Sequence, residues 1–106
     1  PAFGNQPVRA ERVSDLTVPA IPNGFLTAGD IAPDGKRLVI SDYFAAYEFL
    51  LPAEAKGFDE IWKQKPAVID LGDRDQGEAV CYSADGNSLF ATSEGKYKPL
   101  VRVDRR

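Results

Sequence analysis

The sequence predicts an all-β chain of two β-propeller blades with one short helical insertion. Two Asp-Gly turns, Pro33-Asp34-Gly35-Lys36 and Ala84-Asp85-Gly86-Asn87, stand 51 residues apart, each between short apolar runs. At that offset Ala28 aligns with Ala79, Leu38 with Leu89, Val39 with Phe90 and Phe49 with Leu100. A period near 50 with three or four short antiparallel strands per unit is a blade signature. Strand order supplies the third observation. With strands lettered A to D from the centre of a blade outward, the chain reads D, ABCD, ABC. The opening D rests on Val13-Ser14-Asp15-Leu16, which parallels Val68-Ile69-Asp70-Leu71. A compact β-sandwich or barrel is the alternative.

The elements follow in order. Residues 1–24 form a lead-in plus an outer strand, placed within Val8–Val18 by Val13, Leu16 and Val18. Two prolines and Asn23-Gly24 then break the pattern. Residues 25–74 make the first blade. Phe25–Ala32 is its first strand, and Arg37–Ser41, apolar and β-branched, reads as buried on both faces. Tyr47–Leu51 follows and is halted by Pro52. Ala53–Lys65 carries Asp59 and Glu60 early and Lys63 and Lys65 late, the charge order of a short helix. Phe58, Ile61 and Trp62 give that insertion one apolar face, which favours packing of Trp62 against a sheet over ligand stacking. Ala67–Leu71 completes the blade. Residues 75–106 hold three strands of a second blade, at Glu78–Ser83, Ser88–Ser93 and Leu100–Val103. Cys81, between Val80 and Tyr82, reads as a small buried hydrophobe.

Composition narrows the function classes. Of 106 residues, 43% are hydrophobic and 27% charged, which suits one small globular domain. The net charge of −3 and the scattered Lys and Arg leave no basic stripe for nucleic acid. No apolar run reaches the roughly 18–20 residues needed to span a bilayer. The absence of Met points to a processed form or a fragment. With no His, the Ser-His-Asp and Cys-His triads and the usual zinc sets are missing. Catalysis would have to rest on carboxylates, Lys, Tyr or a hard metal ion.

The phrases LTAGDIAPDGKRLVISDY and QGEAVCYSADGNSLFATSEG resemble blade motifs of the bacterial phytase-like, esterase-like six-bladed propellers. The resemblance covers roughly the last 80 residues and carries fold more than activity. It implies a periplasmic or secreted location, and membership of a group that includes calcium-dependent phosphate-ester hydrolases.

Glu78 opens an inner strand and Glu94 follows the next, both near chain reversals that in a propeller would line the channel mouth. Two carboxylates there could hold Ca²⁺, which takes several oxygen ligands. Asp30, Asp42 and Tyr43 occupy comparable places in the first repeat and are further ligand-binding candidates. Asp70, Asp73, Asp75 and Glu78 lack the full EF-hand pattern and read as a polar loop between blades. Two blades cannot close a ring and would leave apolar faces bare. Closure is therefore expected from the remainder of a longer propeller, or from other copies exchanging strands head to tail, three copies giving six blades. The functions that follow are a binding or structural scaffold, a calcium-dependent ester hydrolase, or sugar or peptide binding at the channel mouth.

Overall fold

Both Asp-Gly turns adopt the conformation their residues favour. Gly35 and Gly86 lie at φ +67° and +71°, a region open to glycine. The Asp before each accepts a backbone N–H two residues on, from Lys36 to Asp34 at 2.9 Å and from Asn87 to Asp85 at 3.0 Å. These turns organise a computed structural model that describes residues 4–16, 18 and 25–106. Strands β1 (Ala28–Ile31), β2 (Arg37–Ser41), β3 (Ala45–Leu50) and β4 (Ala67–Asp70) form one antiparallel sheet in chain order. Strands β5 (Gly77–Tyr82), β6 (Ser88–Ser93) and β7 (Val101–Asp104) form a second. The chain is all-β, as expected, and the described strands do not close into a barrel. No helix among the described residues is long and apolar enough to cross a membrane.

The repeat is carried by the backbone ladder. Ala28 pairs with Ser41 and Ile31 with Leu38; 51 residues on, Ala79 pairs with Thr92 and Tyr82 with Leu89. The third strands depart from that offset. Phe49 pairs with Leu38 and Val103 with Leu89, so Phe49 corresponds to Val103 rather than to the expected Leu100. The β6–β7 turn is three residues longer than the β2–β3 turn and absorbs the difference.

Alternation along the strands divides the apolar residues between two cores. Ala32, Val39, Ala46 and Leu71 of the first sheet meet Val80, Tyr82, Leu89 and Ala91 of the second, so the sheets pack face to face. Leu38, Ile40, Tyr47 and Phe49 point the other way and are covered by the chain itself. Ile61, with no exposed surface, plugs that outer core, flanked by Phe58 and Trp62. Complete burial of an Ile side chain is worth about 1.5–3 kcal/mol.

Three expectations are corrected. The insertion forms only a six-residue 3-10 helix, Phe58–Lys63, because Gly57 offers no side-chain cap and the segment is too short to nucleate an α-helix. Trp62 packs there as expected, edge-on to Phe58 at 5.8 Å. The described part of Val8–Val18 forms no strand. Leu16 and Val18 instead lie on the outer core while Val8 and Val13 stay exposed, so apolar burial holds the segment in place of ladder hydrogen bonds. The break at residues 19–24 lies outside the described residues. Cys81 is exposed. With Val80 and Tyr82 turned inward, alternation sends it to the outer face of the second sheet, which no described segment covers.

Candidate functional site

The strand-start end of the sheets gathers most of the predicted site residues. Thr27 enters β1 there, donating its hydroxyl to Gly77 O at 2.8 Å, and Gly77 donates its N–H to Tyr43 O at 3.2 Å. Asp42 closes the β2–β3 turn. Its Oδ1 accepts the N–H groups of Phe44 and Ala45, both at 2.8 Å, and its Oδ2 accepts the Tyr47 hydroxyl at 2.7 Å. Burial opposes ionisation of Asp42, but these hydrogen bonds and the Arg74 charge outweigh it and hold the carboxyl below its usual range. Burial and the Asp42 carboxylate together push the Tyr47 hydroxyl up to about 12. Near neutrality Asp42 is thus an ionised acceptor and Tyr47 a neutral donor. The pair locks a turn and moves no proton.

Tyr43 sits in an aromatic corner, 6.1 Å from Phe25 and 6.5 Å from Phe44, with the Phe44 ring almost perpendicular. Phe25 and Phe44 are 63% and 54% exposed. Gln76 joins this corner to the β6–β7 turn. Its side-chain amide makes a long 3.5 Å contact to the Tyr43 hydroxyl, while its carbonyl accepts Glu94 N–H at 2.9 Å. Glu78 is the extra residue of a β-bulge between Gly77 and Ala79, a device that re-aims a side chain at a strand end. Glu78 is half-buried and Glu94 exposed. Among the described residues, no group of three or more His, Cys, Asp or Glu side chains is placed to hold a metal ion.

Asp30 is not part of this cluster. Facing the second sheet from β1, it accepts Ile31 N–H at 2.9 Å and, across the sheets, Tyr82 N–H at 2.8 Å. It is an inter-sheet strut with both oxygens in use.

Two charged groups missed in the sequence hold the sheets together. Arg74, nine-tenths buried, lies over Gly77 and donates at 3.3 Å to Asp42 O and at 3.4 Å to Thr92 O. Its Nε and the Ser41 hydroxyl are buried without a partner among the described residues. Burial lowers the Arg74 pKa and the Asp42 charge works against that shift. At the opposite end Glu48 accepts the Tyr82 hydroxyl at 2.9 Å and Arg105 at 2.7 Å, with Arg37 at 3.8 Å. Arg37 also donates to Gly86 O at 2.8 Å and stacks on the Tyr82 ring. A cavity of about 140 Å³ opens beside this group. Signals for both were available. A glycine at a strand start marks close approach of another group, and Glu48 sits at an inward-facing strand position, where a charge needs a partner.

No protein-family model, no curated protein and no solved structure matches the chain.

Proposed function

We propose that the chain is a pair of β-propeller blades acting as a structural and binding scaffold, its second blade completed against another β-sheet. One observation carries the reading: each sheet is an uninterrupted meander in chain order, and the first hairpin of each repeats the same register 51 residues apart. Sandwiches usually pass strands between their sheets through Greek-key connections, whereas blades are successive meanders. The lateral contact of β1 with β5, through Thr27–Gly77 and Asp30–Tyr82, suits inner strands set side by side around an axis. The bare outer face of the second sheet is where a further sheet belongs.

Mass in solution tests the scaffold reading. Association beyond the 11.6 kDa chain supports it, and a stable monomer at every concentration overturns it. Ligand binding at the strand-start end is a second reading, favoured by the exposed Phe25 and Phe44 on either side of Tyr43, whose hydroxyl meets Gln76, with Glu78 and Glu94 at the same end of the sheets. Exposed aromatic faces with amide and carboxylate neighbours suit a sugar or peptide. The calcium-dependent hydrolase reading rests on the family resemblance together with Glu78 and Glu94. Millimolar Ca²⁺ should raise the melting temperature and support ester hydrolysis if it holds; neither effect would remove it.

A further inference from the structure

Buried charges in folded proteins are paired, and one in this chain is not. Arg12, Arg37, Arg102 and Arg105 each meet a carboxylate, and Arg9 and Arg106 are exposed. Arg74 is 9% exposed and makes no ion pair among the described residues. Residues 1–3, 17 and 19–24 contain no Asp or Glu that could supply one. The Asp42 carboxylate, whose charge reaches Arg74, is spent on the N–H groups of Phe44 and Ala45 and on the Tyr47 hydroxyl. What the guanidinium does hold is two backbone carbonyls, at 3.3 and 3.4 Å, both beyond the usual length of an N–H···O bond.

A second orphan lies in the same seam. Ser41 has no exposed surface, and its hydroxyl, like the Arg74 Nε–H, has no partner among the described residues. Ser41 stands two residues from Val39 and opposite Ala46, both in the core between the sheets, so alternation aims its side chain at the second sheet. The Arg74 guanidinium crosses that seam one residue further along, from Asp42 O on the first sheet to Thr92 O on the second. Both orphaned groups can donate a hydrogen bond, and one carries a full positive charge. We propose that the seam beside Arg74 and Ser41 is a site for a small monovalent anion, of the size of chloride or formate, which ties the two sheets together. A water molecule would answer the hydrogen bonds and leave the charge; a compact anion answers both. Size follows from burial, because the Arg74 Nε and the Ser41 hydroxyl are closed to solvent and a larger ligand cannot reach them. The site does not depend on the sheets being propeller blades.

Thermal denaturation at a constant ionic strength of about 0.5 M, with sodium chloride replacing sodium gluconate, tests this. Gluconate carries the same charge and is too large to be enclosed. At about ten times its dissociation constant, chloride should raise the melting temperature by roughly 6–11 °C. The chlorine-35 resonance should broaden when the protein is added. Formate in place of chloride shows whether the seat also accepts a carboxylate, and a rise with either ion supports the site. Ser41→Ala should match or exceed the parent in gluconate, because it removes an unpartnered buried hydroxyl, yet gain less than half of the rise in chloride. Arg74→Gln should show neither the rise nor the broadening. Equal melting temperatures in gluconate, chloride and formate overturn the proposal and leave the two orphans to buried water. A chloride effect undiminished in both variants places the ion elsewhere and overturns it as well.

Discussion

Gly77→Ala sets two effects of opposite sign against each other. Gly77 is not among the residues at positive φ, so the backbone accepts alanine there. Restricting the unfolded chain would alone stabilise the variant by about 0.4–1 kcal/mol. Against that, a Cβ at residue 77 would stand 2.4 Å from one terminal nitrogen of Arg74, 2.5 Å from its Cζ and 2.6 Å from the other nitrogen. A guanidinium can move, but this one is nine-tenths buried and holds Asp42 O and Thr92 O across the sheet junction. Overpacking costs about 1–3 kcal/mol, and weakening two long charged hydrogen bonds adds about 1 kcal/mol. The clash should win, with a net loss of about 2 kcal/mol. For a domain this size, that lowers the melting temperature by roughly 8–16 °C. Urea denaturation of Gly77→Ala, Arg74→Ala and the double variant measures the coupling. With Arg74 truncated the obstacle is gone, so the alanine should become neutral or mildly stabilising. An equal loss from Gly77→Ala with and without Arg74 would refute the packing argument.

Other expectations follow from the same contacts. Ile61→Ala should cost about 3 kcal/mol by opening the outer core, read from Trp62 fluorescence during chemical denaturation. At the Glu48 junction, Tyr82→Phe should cost about 1 kcal/mol and Glu48→Ala about 2–3 kcal/mol, because the latter removes the acceptor of the Tyr82 hydroxyl and also leaves Arg105 without its carboxylate, while Arg37 keeps Asp34. Asp42, depressed in the folded state, contributes stability above about pH 4 that is lost as pH falls; Asp42→Asn should therefore flatten the acid limb of denaturant midpoints measured from pH 2 to 7. Tyr47, raised to about 12, contributes fully below about pH 10 and loses that contribution between about pH 10 and 12. Tyr47→Phe should correspondingly lose less on alkaline titration; identical slopes would contradict the Asp42–Tyr47 assignment.

Local chemistry explains why the hairpins were legible in the sequence. Asp34-Gly35 and Asp85-Gly86 specify their turns within four residues, and short apolar runs on either side specify the ladder. The third strands were harder to align, because a loop-length change leaves no mark in composition. The exposure of Cys81 departs from expectation because β-alternation reveals which residues share a face, and whether that face is covered depends on residues far along the chain. The lead segment misled for a related reason. Val13, Leu16 and Val18 supply the apolar spacing of a strand, but Leu16 and Val18 are used to cap the outer core. Of the site candidates, Asp42, Tyr43, Glu78 and Glu94 were legible as residues near chain reversals. The inter-sheet role of Asp30 was not, since its partner, Tyr82 N–H, is 52 residues away.

The three-residue difference between the β2–β3 and β6–β7 turns bears on how such a fold can change. At the opposite end, each Asp-Gly turn is tied into a fixed register, and Gly86 also receives Arg37, so an inserted residue would shift a whole ladder. At the strand-start end the longer loop enters and leaves its sheet without disturbing the pairing of Leu89 with Val103. Lengthening a surface loop costs little closure entropy, only about 0.6 kcal/mol per doubling. The two Asp-Gly turns are therefore held to a standard length while the β2–β3 and β6–β7 turns can differ, so new recognition can be acquired beside Gln76 and Glu94 by insertion, with the sheets beneath left as they are.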